Sequence, residues 1–233
     1  MRFRLADLYR LAGITLCSFF LAYRFPPIGG ASSVTSIFNN LLLFSFLIGF
    51  SINRALERRK TIYNGIEIEL SRLRRVYNFC DRVSDQDWGR KMHQALLTYH
   101  HQVGEDLFAY KKALDDYRVI TKLVYGFEPR TRKDEILFAD LLHVTRDIAL
   151  ERRPLERALG SRLWGYSWAV MLIIIASVFA LLLANRGQGM THWSVGLTMT
   201  GILAVMDLLR STDRLSKEEI ERLQRLYREN VPE

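Results

Sequence analysis

Uncharged apolar runs constrain this chain more than any other feature of its sequence. Residues 34–52 and 163–184 are runs of 19 and 22 residues without a charged side chain. About 20 apolar residues in a helix cross the hydrocarbon core of a bilayer. Residues 193–209 form a third run, which holds a single charge. A shorter run lies between Arg10 and Arg24, whose long side chains can reach the headgroups. The sequence therefore predicts four transmembrane helices.

The short run between Arg10 and Arg24 has an alternative interpretation as a secretory signal, because a basic start precedes a short apolar core. The residues that follow Arg24 offer a poor cleavage site, and the next apolar run begins within ten residues. A transmembrane helix is therefore the interpretation that we adopt.

The distribution of basic residues predicts the orientation of these helices. Residues 1–10, 53–162 and 210–233 hold 31 of the 33 Lys and Arg side chains. In multi-pass proteins this excess marks the cytoplasmic segments. Both termini and the long middle segment are therefore predicted to be cytoplasmic, in a bacterial inner membrane or an equivalent organelle membrane.

The middle segment is predicted to be a bundle of amphipathic helices. Apolar residues recur there at spacings of three and four, which is typical of helices with one buried face. The first such stripe is Ile62, Ile66, Leu70, Leu73, Tyr77 and Cys80, and the second, within a helical stretch at 88–125, is Met92, Leu96, Tyr99 and Val103. Asp134 suits the N-cap of a further helix that leads past Pro154 into the third span. The sequence SKEE at 216–219 is a capping box for a tail helix.

The fold class that follows is an all-α membrane protein. It has four transmembrane helices and a cytosolic helical bundle between spans 2 and 3. The predicted segments are transmembrane helices 1 and 2 at 1–54, the cytosolic helical domain at 55–162, transmembrane helices 3 and 4 at 163–209, and a cytosolic C-terminal amphipathic helix at 210–233.

The second span has no signal that ends its helix at the membrane surface. No Pro lies between Ala31 and Glu128, and no Gly lies between Phe50 and Asn64. Because Pro and Gly are the usual helix-ending residues, one helix is predicted to leave the bilayer without a break.

The sequence has no motif for catalysis. It contains no Gly-rich phosphate loop, nucleophile elbow or Cys pair at metal spacing, and no cofactor is predicted. The nearest approach to a ligand set is His93, His100 and His101 with Glu105, but His residues on a solvated helix are more typical of a surface. Acidic residues interleave with the basic runs, so no nucleic-acid partner is predicted.

A stripe on the second span has two interpretations. Leu42, Phe46 and Phe50 fall four apart, with Gly49 beside Phe50. Asn39 and Asn53 continue this face toward the two ends of the span. An apolar belt with polar ends suits a hydrophobic constriction in a water-filled path. The alternative is a stripe that faces lipid or packs against other helices, and periodicity alone favours this alternative.

The segment LLFSFLIGF at 42–50 resembles the second span of bestrophin channels. The likeness continues through RK at 59–60 and GIEIELSRL at 65–73. The second half of the chain, from ALLTYHHQVGEDL through RRPLERALGSRLW, is similar to bacterial and plant bestrophin-like proteins of unknown function. The dense acidic run of the animal calcium clasp is absent, so calcium gating is not implied.

The resemblance implies an ion channel. Five copies would surround one axis, with a pore neck lined by Leu42, Phe46 and Phe50. Asn39, Gly49 and Asn53 would flank this neck. Residues Ile62, Ile66 and Leu70 would face neighbouring helices. The implied partners are the lipid bilayer, further copies of the chain and small inorganic anions.

Two other classes stay open at this point. The protein could be a non-conducting membrane-anchored helical scaffold or sensor, in which Leu42, Phe46 and Phe50 are core residues. A membrane enzyme is the other class, although the sequence lacks paired catalytic groups.

Overall fold

The computed structural model describes residues 5–24, 34–108, 113–161, 163, 165–185 and 191–229. Within these ranges the regular structure is helical, as predicted for an all-α protein. The described residues form eight α-helices: α1 (Leu5–Arg24), α2 (Val34–Cys80), α3 (Gln86–Glu105), α4 (Ala113–Tyr125), α5 (Arg132–Gly160), α6 (Gly165–Ala184), α7 (His192–Asp213) and α8 (Lys217–Glu229).

Helix α2 is unbroken over 47 residues, which corresponds to a rod of about 70 Å. The prediction that one helix continues without a break past the apolar run at 34–52 is therefore confirmed. Among the described residues, three helical stretches are long and apolar enough to cross a membrane. They lie in α2, in α6 and in the stretch that begins at His192. Helix α1 is not among them, so the fourth span stays a prediction.

The chain divides into two compact units. Unit 1 consists of Met1–Leu56 and Arg162–Arg214, and unit 2 consists of Glu57–Ser161 and Leu215–Glu233. Helix α2 contributes to both, and the predicted tail segment at 210–233 is shared between them. Each unit has its own hydrophobic core.

The core of unit 1 is formed by one face of each apolar helix. Its α2 members include Ile37, Phe44, Ile48 and Ala55. Helix α1 packs against α7, where the Phe19 ring lies over Gly196 and makes an edge contact with Trp193 at 5.1 Å between centroids. The absence of a side chain at Gly196 is what allows this close approach.

The core of unit 2 contains both apolar stripes predicted from the sequence. All of their members are buried, and Ile62 and Ile66 have no exposed surface. Leu223 and Tyr227 of α8 complete the same core. Leu155 of α5 packs directly over Gly65 of α2.

The helical stretch predicted at 88–125 is wrong as a single element, because it consists of α3 and α4. The Asp106 side chain accepts a hydrogen bond from the Phe108 N–H at 2.9 Å. Such a local bond competes with the helical pattern of backbone bonds. Helix α3 therefore ends at Glu105.

Two predicted features of α5 are also corrected. Its N-cap is Thr131, and Asp134 is the third helical residue, which completes a capping box with Thr131. At the other end, α5 stops at Gly160 and does not run into α6. The Arg58 Nε donates to the Ala158 carbonyl at 2.6 Å, which satisfies one of the carbonyls that a helix end leaves open.

The capping box predicted at 216–219 is confirmed. The Glu219 N–H donates to the Ser216 hydroxyl at 3.2 Å, and the Ser216 N–H donates to the Glu219 carboxylate at 2.8 Å. The same carboxylate forms an ion pair with Arg59 at 2.9 Å. This contact fixes the start of α8 against α2 within unit 2.

Candidate functional site

The residues of the predicted neck lie on an exposed face of α2. Relative exposure is 47% for Leu42, 71% for Phe46 and 70% for Phe50. Asn39, Gly49 and Asn53, which were predicted to flank the neck, are exposed as well. All six predicted site residues therefore lie on the surface of the chain.

Helical geometry places these six residues in one sector. At 100° per residue, Asn39 and Asn53 lie within about 20° of Phe46, because they are seven positions from it on either side. Leu42 and Phe50 lie within about 40° and Gly49 within about 60°. We call this set the neck face.

The neck face points away from the core of unit 1. The α2 residues that are buried in this unit lie on the opposite side of the helix: Ile37, Phe44, Ile48, Ser51 and Ala55. The interpretation of Leu42, Phe46 and Phe50 as core residues of the chain is therefore wrong. Their apolar side chains are available to lipid or to another copy.

Gly49 is not required by packing inside the chain. A Cβ atom added at this position would meet no atom within 4 Å. By contrast, a Cβ added at Gly65 on the same helix would lie 3.2 Å from a methyl group of Leu155. Space at Gly49 is thus open in the single chain.

The histidines that were interpreted as surface residues differ in burial, and that interpretation is wrong for His100. His100 is 1% exposed, and its Nδ1 lies 3.2 Å from the Tyr227 carbonyl oxygen. Burial lowers the pKa of His100 to about 4. His101 is exposed and lies 4.0 Å from Glu105, whereas His93 packs edge-on against Tyr77. In the part of the chain that the structure describes, no group of three or more His, Cys, Asp and Glu side chains is placed to hold a metal ion.

A buried carboxylate at Glu69 was not identified from the sequence. The side chain is 1% exposed and accepts hydrogen bonds from the hydroxyl groups of Tyr99 and Tyr227. The Tyr227 bond is 2.7 Å long. These contacts connect α2, α3 and α8 in the core of unit 2.

Arg152 of α5 lies beside the same tyrosines. Its guanidinium carbon is 5.1 Å from the ring centre of Tyr99 and 4.6 Å from that of Tyr117. The Tyr117 hydroxyl donates to the Thr145 carbonyl at 2.8 Å, and burial raises the pKa of Tyr117. The sequence carried one signal of the buried carboxylate, because Glu69 falls between Ile66 and Leu73 on an apolar stripe.

Comparison with known proteins identifies the architecture. No protein-family model and no curated protein matches the chain. Among solved structures, a point variant of a membrane protein matches with a TM-score of 0.67 and 13% identity, and it covers 98% of both chains. Two point variants of a bacterial bestrophin homologue from Klebsiella pneumoniae match with TM-scores of 0.64 and 0.61, each at 11% identity. The chain has the bestrophin fold.

The shared fold extends over nearly the whole chain. The two Klebsiella pneumoniae structures cover 97% and 98% of this chain and of their own chains. Both compact units therefore belong to the bestrophin fold. The apolar helices and this fold together make the chain an integral membrane protein.

Proposed function

We propose that the chain is a bestrophin-like channel subunit. Several copies, five in our proposal, surround one axis and conduct small inorganic anions. The hydrophobic neck of this pore is lined by Leu42, Phe46 and Phe50. The termini of the chain and the segment between its second and third spans are cytoplasmic. The role is transport and not catalysis.

The neck face carries this proposal. Its aromatic and aliphatic side chains are exposed on the side of α2 opposite the core, in a chain with the bestrophin fold. Asn39 lies on this same face within an apolar run. An amide that faces hydrocarbon is costly, because lipid offers it no hydrogen-bond partner. A water-filled axis or a neighbouring subunit removes that cost.

Several copies are required because one neck face cannot enclose a path. The open space at Gly49 supports this, since a second α2 helix can approach there without meeting a side chain of the same copy. Self-association around the neck face also removes a band of exposed aromatic surface from lipid or detergent.

The chemistry of the neck predicts an order of permeability among anions. Phe rings present positive edges to an ion and offer no ligands that could replace its hydration shell. Anions that shed water easily should therefore pass best, with thiocyanate and nitrate ahead of chloride. The formal net charge of +8 favours anions, and this effect weakens when salt shortens the Debye length to about 10 Å or less.

An anion flux assay in reconstituted liposomes tests the proposal. Phe46→Ala and Phe50→Ala should widen and wet the neck, so the flux should rise and the selectivity order should flatten. Phe20→Ala is the matched control, because Phe20 is an equally exposed aromatic residue on α1 outside the neck face. Its flux should equal that of the unmodified protein.

Two results would overturn the proposal. One is an absence of flux from well-folded unmodified protein and from both neck variants, which would favour a non-conducting scaffold or sensor. The other is an equal change of flux in Phe46→Ala and Phe20→Ala, since that would reflect a general effect on the lipid-facing surface.

A further inference from the structure

A cavity of about 400 Å³ lies in unit 1 between the start of α6 and the end of α7. It combines apolar, aromatic and charged side chains. The residues that line it are Leu163, Trp168, Arg210, Asp213 and Arg214. None of these belongs to the neck face.

The cavity lies where two apolar helices end. Helix α6 has no charged residue, and Trp168 lies in its first turn. Helix α7 has no Asp, Glu, Lys or Arg before its last two turns, where Asp207 and then Arg210 appear. Trp and Arg are side chains that favour the headgroup region, with an apolar part toward the lipid tails and a polar part toward water.

One oxygen of the buried carboxylate in the cavity is bonded to the protein backbone. Asp213 is 6% exposed, and its Oδ1 accepts a hydrogen bond from the Leu163 N–H at 3.2 Å. Arg210 and Arg214 are both exposed. The exposed charged side chains of the cavity lining are therefore those of Arg210 and Arg214, and Leu163 and Trp168 line it as partly exposed apolar side chains.

We propose that this cavity binds the phosphate group of an anionic lipid. Guanidinium groups donate paired hydrogen bonds to phosphate oxygens, which matches the two arginines at its rim. Trp168 and Leu163 supply an apolar wall for the glycerol and the first acyl carbons. Free phosphate has the same anion chemistry but makes no use of this wall. The proposal requires insertion into a membrane and is independent of ion conduction.

Native mass spectrometry of the delipidated full chain in detergent tests this site. The probes are dioleoylphosphatidylglycerol, dioleoylphosphatidylcholine and inorganic phosphate. The unmodified protein should retain phosphatidylglycerol in preference to phosphatidylcholine. The double substitution Arg210→Gln with Arg214→Gln should weaken phosphatidylglycerol binding about thirtyfold, because a basic residue near a membrane surface contributes about 1 kcal/mol.

Arg225→Gln is the matched control, because Arg225 is exposed on α8 and lies in unit 2. It should leave lipid binding unchanged. If the double variant does not fold, each single substitution should weaken binding about fivefold. Equal retention of the two lipids by the unmodified protein, or equal losses in the arginine variants and in Arg225→Gln, would overturn the proposal. Displacement of phosphatidylglycerol by millimolar inorganic phosphate would show that the site binds free phosphate, and it would contradict a lipid as the ligand.

Discussion

Glu69 is the residue on which the core of unit 2 most depends. Its carboxylate accepts hydrogen bonds from two buried tyrosines that come from α3 and α8. Removing one member of such a network leaves the other polar groups buried without their partner. Glu69→Ala should therefore lower the free energy of unfolding by about 3 kcal/mol.

Glu67→Ala is the control for this substitution. Glu67 lies on the same helix two residues earlier, but its side chain is exposed. An exposed substitution changes stability by about 0.5 kcal/mol or less. Thermal unfolding of both variants in detergent measures the difference, and equal melting temperatures would contradict the structural role of Glu69.

His100 should make unit 2 sensitive to acid. Burial lowers the pKa of its imidazole to about 4, whereas an unfolded chain takes up this proton at a pH of about 6.5. Between these two values the unfolded state binds more protons, so the free energy of unfolding falls as the pH drops. The loss contributed by His100 should reach about 3 kcal/mol by pH 4.

The pH dependence of thermal unfolding tests this assignment. His100→Gln should flatten the slope between pH 6.5 and 4, whatever its stability at pH 7. His143→Gln serves as the control, because His143 is exposed on α5. A slope that is unchanged in His100→Gln would show that other groups cause the acid sensitivity.

Sequence periodicity predicted the buried faces of these helices but not their polar contacts. The stripe that contains Ile62 and Ile66 is buried as expected, because its spacing reports one helix face. One of the partners of Glu69 is Tyr227, which is 158 positions away in the chain. Nothing local to either residue encodes that pairing. Which histidine is buried depends in the same way on α8, whose Tyr227 carbonyl lies against His100.

At the scale of elements, the contact between α1 and α7 depends on one glycine. A Cβ at Gly196 would lie 2.9 Å from two ring carbons of Phe19, which is closer than carbon atoms pack. Gly196→Ala should therefore destabilise unit 1 by about 1–3 kcal/mol. Adding Phe19→Leu should recover part of this loss, because the shorter side chain makes room for the methyl group.

Gly201→Ala provides the matched control on the same helix. A Cβ at Gly201 would meet no atom within 4 Å, and Ala favours a helix over Gly by about 1 kcal/mol. Unfolding by a denaturing detergent should show that Gly201→Ala is at least as stable as the unmodified protein and that Gly196→Ala is less stable. The same stability for both variants would contradict the packing of α1 on α7.

Element boundaries were predicted well only where the sequence carries a local signal. The capping box at Ser216 identified the start of α8 because its two partners are three residues apart. The end of α5 at Gly160 was missed, because the group that satisfies its carbonyls is Arg58 from a distant part of the chain. The spacing of Leu42, Phe46 and Phe50 predicted that they share one helix face, and their role as a pore neck stays a prediction. The exposure of this face depends on which other face of α2 is buried, and that follows from tertiary packing.

At the scale of the whole molecule, the neck face predicts assembly. Leu42, Phe46 and Phe50 leave a band of exposed apolar surface beside two exposed amides, and none of the residues that the structure describes covers this band. A channel would bring these faces together around an axis. Mass photometry in mild detergent should therefore find a species of five times the 27.2 kDa chain mass.

Gly49 allows this assembly to be tested without disturbing the fold of one chain. Because a Cβ at Gly49 meets nothing within 4 Å and Leu favours a helix over Gly, Gly49→Leu should not lower the stability of the isolated chain. In the oligomer, the added side chain would fill space near neighbouring copies of α2, and the large species should therefore dissociate or conduct less. Gly13→Leu is the control, since Gly13 on α1 is equally open and lies outside the neck face. A monomeric unmodified protein, or equal effects of the two leucine variants on the oligomer, would contradict a pore lined by α2.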